Sequence, residues 1–192
     1  MTDGRRRRAA RPSNHVEPHG TLQVTRHYVR DLVYGANDGI ITTFAVVAGV
    51  VGGGLSTTVV LVCGVANLLA DGLSMAVSNY LAIRSHEGVL EAQGLPEEEA
   101  FPFRHGLATF LAFVAAGTLP LLPYLVPGEA TTARFFWSIG LALGSMFVIG
   151  AMRGLVANIS WLAGGLEMFG LGLIVTLVAY GSGWFVSSLL AR

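Results

Sequence analysis

Five apolar stretches, each long enough to cross a bilayer, run through this chain with only short polar connections between them. A spanning helix needs about 20 mostly apolar residues. In hydrocarbon the backbone must satisfy its own hydrogen bonds, which leaves helices or closed barrels. The stretches are continuous rather than alternating, so helices are expected over about 32–53, 57–84, 107–126, 135–152 and 162–190. The third is interrupted near its end by Pro120 and Pro123. The polar segment 85–106 reads as a shortened loop with its own helical piece, and residues 1–25, rich in Arg and Pro, read as a disordered tail. Residues 26–31 then open an interfacial helix that leads into the membrane domain, 26–192. Composition agrees with an all-α integral membrane protein: 53% of residues are hydrophobic and only 12% charged, against about 25% charged in soluble domains.

Charge distribution sets the expected orientation. Net charge is zero, and all twelve basic residues are Arg. With five spans, Arg5, Arg6, Arg7, Arg8, Arg11, Arg26, Arg30, Arg84, Arg104 and Arg153 fall on one side, and only Arg134 and Arg192 on the other. By the positive-inside rule the N-terminus is cytoplasmic. No cleavable signal is expected, because Arg5–Arg8 are followed by a polar stretch rather than an apolar one. The Arg-rich tail suits topology and anionic headgroups, and no nucleic-acid partner is expected. The single Cys63 excludes an intrachain disulfide and a cysteine-based metal cluster within one chain.

The informative residues are the polar ones inside apolar segments. "YGANDGIITTF" carries Asp38 in the first span, the second span carries Asp71, and Glu167 lies near the start of the fifth. Intramembrane carboxylates are costly and mark ion or substrate pathways. Asn67, Asp71, Met75 and Asn79 recur every fourth residue, so they form one stripe on one helix face. If the first hairpin closes at Ser56/Thr57, Asp38 lies level with Met75, Asp71 with Thr42 and Asn67 with Val46. Carboxylate and amide oxygens with a thioether suit a transition metal such as Fe²⁺ or Mn²⁺ better than Na⁺ or Ca²⁺. The same carboxylates can take up protons when the metal leaves, with Asp38, Asp71 and Glu167 as candidates for a relay. The blander reading of Met75 is packing, and of Glu167 a reach into interfacial water.

Small-residue spacings at Gly35/Gly39, Gly140/Gly144 and Gly150/Gly154 allow close helix approach. They fit a compact bundle or a homodimer equally. Glu87, Glu91, Glu97, Glu98 and Glu99 crowd the 85–106 loop. They read either as a weak metal-collecting funnel or as an acidic run at a helix start, with Pro96 at N1.

The runs "NDGIITTFAVVAGVVGG" and "ANLLADGLSMAVSNYLAIRSHE" resemble the first two helices of the vacuolar iron transporter (VIT) family. The most specific parts are Asp-Gly-x-x-Thr-x-Phe-Ala and Ser-Met-x-x-x-x-Tyr-Leu, and the likeness extends from about Tyr28 to Arg192. It implies five membrane helices, a homodimer with the metal path at its interface, and export of Fe²⁺ or Mn²⁺ from the cytosol in exchange for protons. It implies no resident cofactor; the metal is the substrate. Asp38 matches the family's first-helix aspartate and Met75 its metal-contacting methionine. The family's pore glutamate, eight residues before that methionine, falls on Asn67, and Asp71 is placed to supply the missing charge. The loop is far shorter than the Glu- and Met-rich insertion of iron-type members, as in the nodulin-like branch. Gly35, Gly39 and Gly49 are then candidate hinges of a gating hairpin. The expected membrane is the plasma (inner) membrane in a prokaryote and a vacuolar-type membrane in a eukaryote. A rival reading is a non-transporting membrane scaffold that uses its charges for helix association. An enzyme is not expected, since His15, His19, His27, His86 and His105 all lie in the tail, the interfacial segment or the loop, away from any intramembrane zinc site.

Overall fold

A computed structural model of the protein describes residues 12–15, 21–128, 130–156 and 160–191. Arg5–Arg8, Arg11 and Arg192 lie outside these residues, as does most of the expected N-terminal tail. The helices are α1 (Thr21–Gly52), α2 (Thr57–Ala92), α3 (Pro102–Gly117), α4 (Leu122–Leu125), α5 (Thr131–Val156) and α6 (Trp161–Leu190), with a 3₁₀ turn at Leu119–Leu121. Among the described residues, five stretches are long and apolar enough to cross a membrane: His27–Gly52, Thr57–Ala92, Pro102–Leu125, Thr131–Leu155 and Trp161–Leu190.

The ends of these helices depart from the expected ones for local reasons. Residues 21–25 belong to α1 rather than to a tail. Residues 12–15 are also placed: the Glu97 N–H donates to the Pro12 carbonyl at 2.9 Å, and the Asn14 N–H donates to the Glu97 carbonyl at 2.7 Å. The second helix runs eight residues past Arg84, so the loop narrows to 93–101. It stops at Gly94, whose φ of 69° is left-handed. There the Leu95 N–H returns to the Leu90 carbonyl and the Gly94 N–H to the Glu91 carbonyl, the bonding of a Schellman cap. Gly54, at φ 70°, closes α1 in the same way through Val50 and Val51. The proline at a helix start is Pro102 of α3, not Pro96.

Pro120 and Pro123 break the third span into α3, the 3₁₀ turn and α4, because each removes a backbone donor and crowds the preceding turn. Irregular backbone at membrane depth needs substitute partners. Buried Ser138 of α5 supplies one by donating to the Pro120 carbonyl at 2.7 Å.

The first helix is the centre of the bundle and packs against α2, α3, α5 and α6. Its Ile40, Phe44, Val47 and Ala48 are fully buried, together with Val60, Phe113, Ala142 and Met146 from its neighbours. Glycines set the closest approaches. A Cβ on Gly35 or Gly39 would strike the Thr109 or Phe113 backbone of α3, and one on Gly52 would strike Tyr180 of α6. Gly150 meets Gly164 of α6 in the same manner, whereas Gly140 and Gly144 face open space. The outer faces carry apolar side chains, including Val62, Val65, Leu69, Leu73, Val77 and Leu81 of α2. Such faces belong against lipid or another membrane helix.

Candidate ion site in the first hairpin

The sequence places Asp38 on α1 and the Asn67/Asp71/Met75/Asn79 stripe on α2, and hydrogen bonds fix how the two helices meet. The Asn67 amide reaches Thr42 Oγ1 at 3.4 Å, and the Asn79 amide donates to Asp31 Oδ1 at 2.9 Å. These pairs set the register one helical turn from the one expected. The hairpin turn occupies residues 53–56 rather than being centred on Ser56/Thr57, and moving the turn centre by two residues moves the partner by four. Asp38 therefore lies level with Asp71, not with Met75, and Asn67 meets Thr42, not Val46. Met75 is half-buried against the core.

Asp38 and Asp71 are each half-buried in the single chain. They are close enough to interact electrostatically, and neither carboxylate has a hydrogen bond or a basic partner among the described residues. Thr42 caps this region by donating to the Asp38 carbonyl at 2.9 Å. Two facing carboxylates at membrane depth must be neutralised by protons or by a cation.

The other expected residues lie elsewhere. Glu167 is exposed on α6 and forms an ion pair with Arg153 of α5, so its charge is matched locally. Gly35 and Gly39 are packing positions against α3, and Gly49 approaches Gly183 of α6. The five loop glutamates do not form one ligand set. Glu87 Oε1 accepts the backbone N–H groups of Glu98 and Glu99 at 3.0 and 2.8 Å. Glu98 lies 3.3 Å from His86 Nε2. Glu91 and Glu97 line a cleft with Arg84 and Arg104.

A second polar assembly, which sequence reasoning missed, sits where α1 and α3 begin and α2 ends. His105 and Asp31 are both buried, and His105 Nδ1 donates to Asp31 Oδ2 at 2.6 Å. Asn79 donates to both Asp31 and Thr109, at 2.9 Å each. On the outer side, His105 Nε2, His27 Nε2 and His15 Nδ1 lie 3.1, 3.5 and 3.6 Å from Glu99 Oε2. The separate His positions gave no sign of this, because the fold brings together a tail residue, two helix starts and a loop. The available signal was the polar Asn79 of the α2 stripe, which needs a partner near the start of α1.

Comparison with known proteins places this hairpin in context. The sequence profile of the VIT family matches residues 29–101 and 89–184, two stretches that meet at the α2–α3 connection. The chain is 25% identical to "Vacuolar iron transporter 1" of Arabidopsis thaliana over 224 aligned positions, which cover 87% of this chain and 88% of that one. It is 28% identical to "Vacuolar iron transporter homolog 1" of Oryza sativa subsp. japonica, over 80% of this chain and 72% of the relative. To the "Vacuolar iron transporter" of Toxoplasma gondii it is 41% identical over 85 residues, so there it spans only 28% of the relative's length. The match extends over both halves of the five-span bundle and includes Asp38, Asp71 and Met75, and the chain belongs to the VIT family.

Proposed function

We propose that the protein carries divalent transition metal, Fe²⁺ and/or Mn²⁺, out of the cytosol in exchange for protons. The observation that carries this reading is the pair Asp38/Asp71, level with each other in the first hairpin and, among the described residues, without a basic partner. Relatives named for vacuolar iron transport support metal as the substrate. Asn67 offers a neutral oxygen one turn along α2, and Met75 a soft sulfur on the opposite flank of Asp71. In this mechanism metal displaces protons from the two carboxylates, and protonation on the far side releases it. Glu167, already paired with Arg153, stands outside the central exchange. The α1–α2 hairpin gates the path, with Gly49 near its turn as the hinge.

The half-exposed carboxylates also support a homodimer, because a charged groove facing lipid is costly. Cys63, Ala66, Ala70, Ser74, Ser78 and Ala82 form an exposed stripe of small residues beside Asn67 and Asp71. Such stripes let membrane helices approach closely, so a second copy's α2 would cover the ion site. Arg30, Arg84, Arg104 and Arg153 share the end of the bundle assigned to the cytoplasm.

Proteoliposomes with an internal pH dye and external Fe²⁺ or Mn²⁺ test the reading. Metal-dependent uptake with opposite proton movement is expected, and Asp38→Ala should reduce it at least tenfold. Absence of metal binding and uptake in the wild type, with Asp38→Asn assembling normally, would instead favour the non-transporting scaffold.

A further inference from the structure

We propose that His15, His27 and Glu99 form a binding site for a first-row divalent transition metal at the mouth of the bundle, separate from Asp38 and Asp71. The three side chains can each present one ligand atom, with all three atoms within 4.8 Å of one another. Glu99 Oε2 stands 3.6 Å from His15 Nδ1 and 3.5 Å from His27 Nε2. Ligand atoms about 2.0–2.2 Å from a metal lie about 3.3–3.6 Å from each other in tetrahedral geometry. The two spacings to Glu99 therefore match the edges of a tetrahedron.

The imidazoles pack edge-on against each other and against Phe101 and Tyr28, contacts that leave their ring nitrogens available. His15 is 6% exposed, and among the described residues its Nε2 is buried without a hydrogen-bond partner, as is His27 Nε2. Buried polar atoms normally find partners, so the orphaned His27 Nε2, 3.5 Å from Glu99 Oε2, points to an absent ligand; at His15 it is Nδ1 that faces the carboxylate and the far nitrogen, Nε2, that is orphaned. Two histidines and one carboxylate are the donor set of non-haem Fe²⁺ sites and also suit other late first-row ions; Ca²⁺ and Mg²⁺ prefer oxygen alone.

The surrounding structure holds the set in place. The two backbone bonds from Glu97 to Pro12 and Asn14 bring His15 beside Glu99. Glu87 fixes the 98–99 backbone. His105 is a positioning residue: its Nε2 lies 3.1 Å from Glu99 Oε2, and its Nδ1 is anchored on Asp31. Metal ligands are commonly oriented by such outer partners. A cavity of about 460 Å³, lined by His27, His86, Glu98, Glu99 and His105, gives access from solvent. The site does not depend on transport, since a chain that moves no ion across the membrane would still fill it.

The test is titration of the purified full chain in detergent with Co²⁺, read by its visible d–d absorption. The titration is repeated in an Asp38→Asn/Asp71→Asn background, which removes the membrane carboxylates. Saturable binding with nitrogen-ligand bands is expected in both. His15→Ala should weaken it at least tenfold without disturbing the bundle, because residue 15 lies outside the helices. His27→Ala and Glu99→Gln should do the same. Superimposable titrations for His15→Ala and wild type would overturn the proposal, as would loss of the signal in the Asp38/Asp71 background alone. Failed transport with retained Co²⁺ binding would count against the transport reading and leave this site standing.

Discussion

Asn79 shows how much one side chain can organise. Its amide donates to Asp31 on α1 and to Thr109 on α3, so it ties three helices at one level. Asn79→Ala would leave buried Asp31 with fewer donors. An unmet buried polar group costs about 1–3 kcal/mol. Thermal unfolding in detergent should show a loss of that size, and Asn79→Asp should be worse because it faces a second carboxylate. At this scale the sequence was partly legible. Asp38 and Asp71 announced themselves as charges in apolar surroundings. Asp31 did not, because beside Arg26 and Arg30 it read as interfacial, although the fold buries it to 3% exposure. His105 was hidden for the same reason: its value lies in a partner 74 residues away.

Among the helices, the glycine contacts decide which neighbours can sit where. Gly39 rests on the Phe113 backbone of α3, and Gly183 rests on Gly49 of α1. Neither position leaves room for a side chain, and the obstacle is main chain rather than a flexible tip. Gly39→Val and Gly183→Val should each push α1 from its neighbour. The expected result is loss of a monodisperse peak in size exclusion, while Gly140→Val, at an open position, should leave the profile unchanged. The five spans were legible because hydropathy reports contact with hydrocarbon. The extension of α2 over Ser85–Ala92 was not, because a helix that leaves the membrane becomes polar without ending. Its true stop was written in Gly94-Leu95-Pro96, a capping signal rather than a hydropathy signal. The register error had a similar origin: a turn centre misplaced by two residues carried Asp38 from Asp71 to Met75.

For the whole molecule, the proposed second copy can be tested through Cys63, which is exposed on the small-residue stripe of α2. Mild oxidation in native membranes should give a covalent dimer on non-reducing gels, and Cys63→Ser should abolish it. A dimer yield that falls as the protein is diluted with excess lipid would indicate collisional contact rather than a two-fold interface. Assembly of this kind is only faintly legible in a sequence, because lipid and protein both accept an apolar face.

The second helix runs unbroken for 36 residues, about 54 Å at the usual rise. One of its turns holds Asp71, and Glu87 near its far end accepts the backbone N–H groups of Glu98 and Glu99. A continuous helix behaves as a stiff lever. Tilting it by about 5° about one end moves the other by roughly 5 Å, given that length. Any tilt of α2 against α1 at the level of Asp71 would therefore drag Glu99 relative to His27 on α1. The grip at the mouth and the Asp71 level lie 16 residues, about 24 Å, apart on one stiff helix, so they move as one mechanical part.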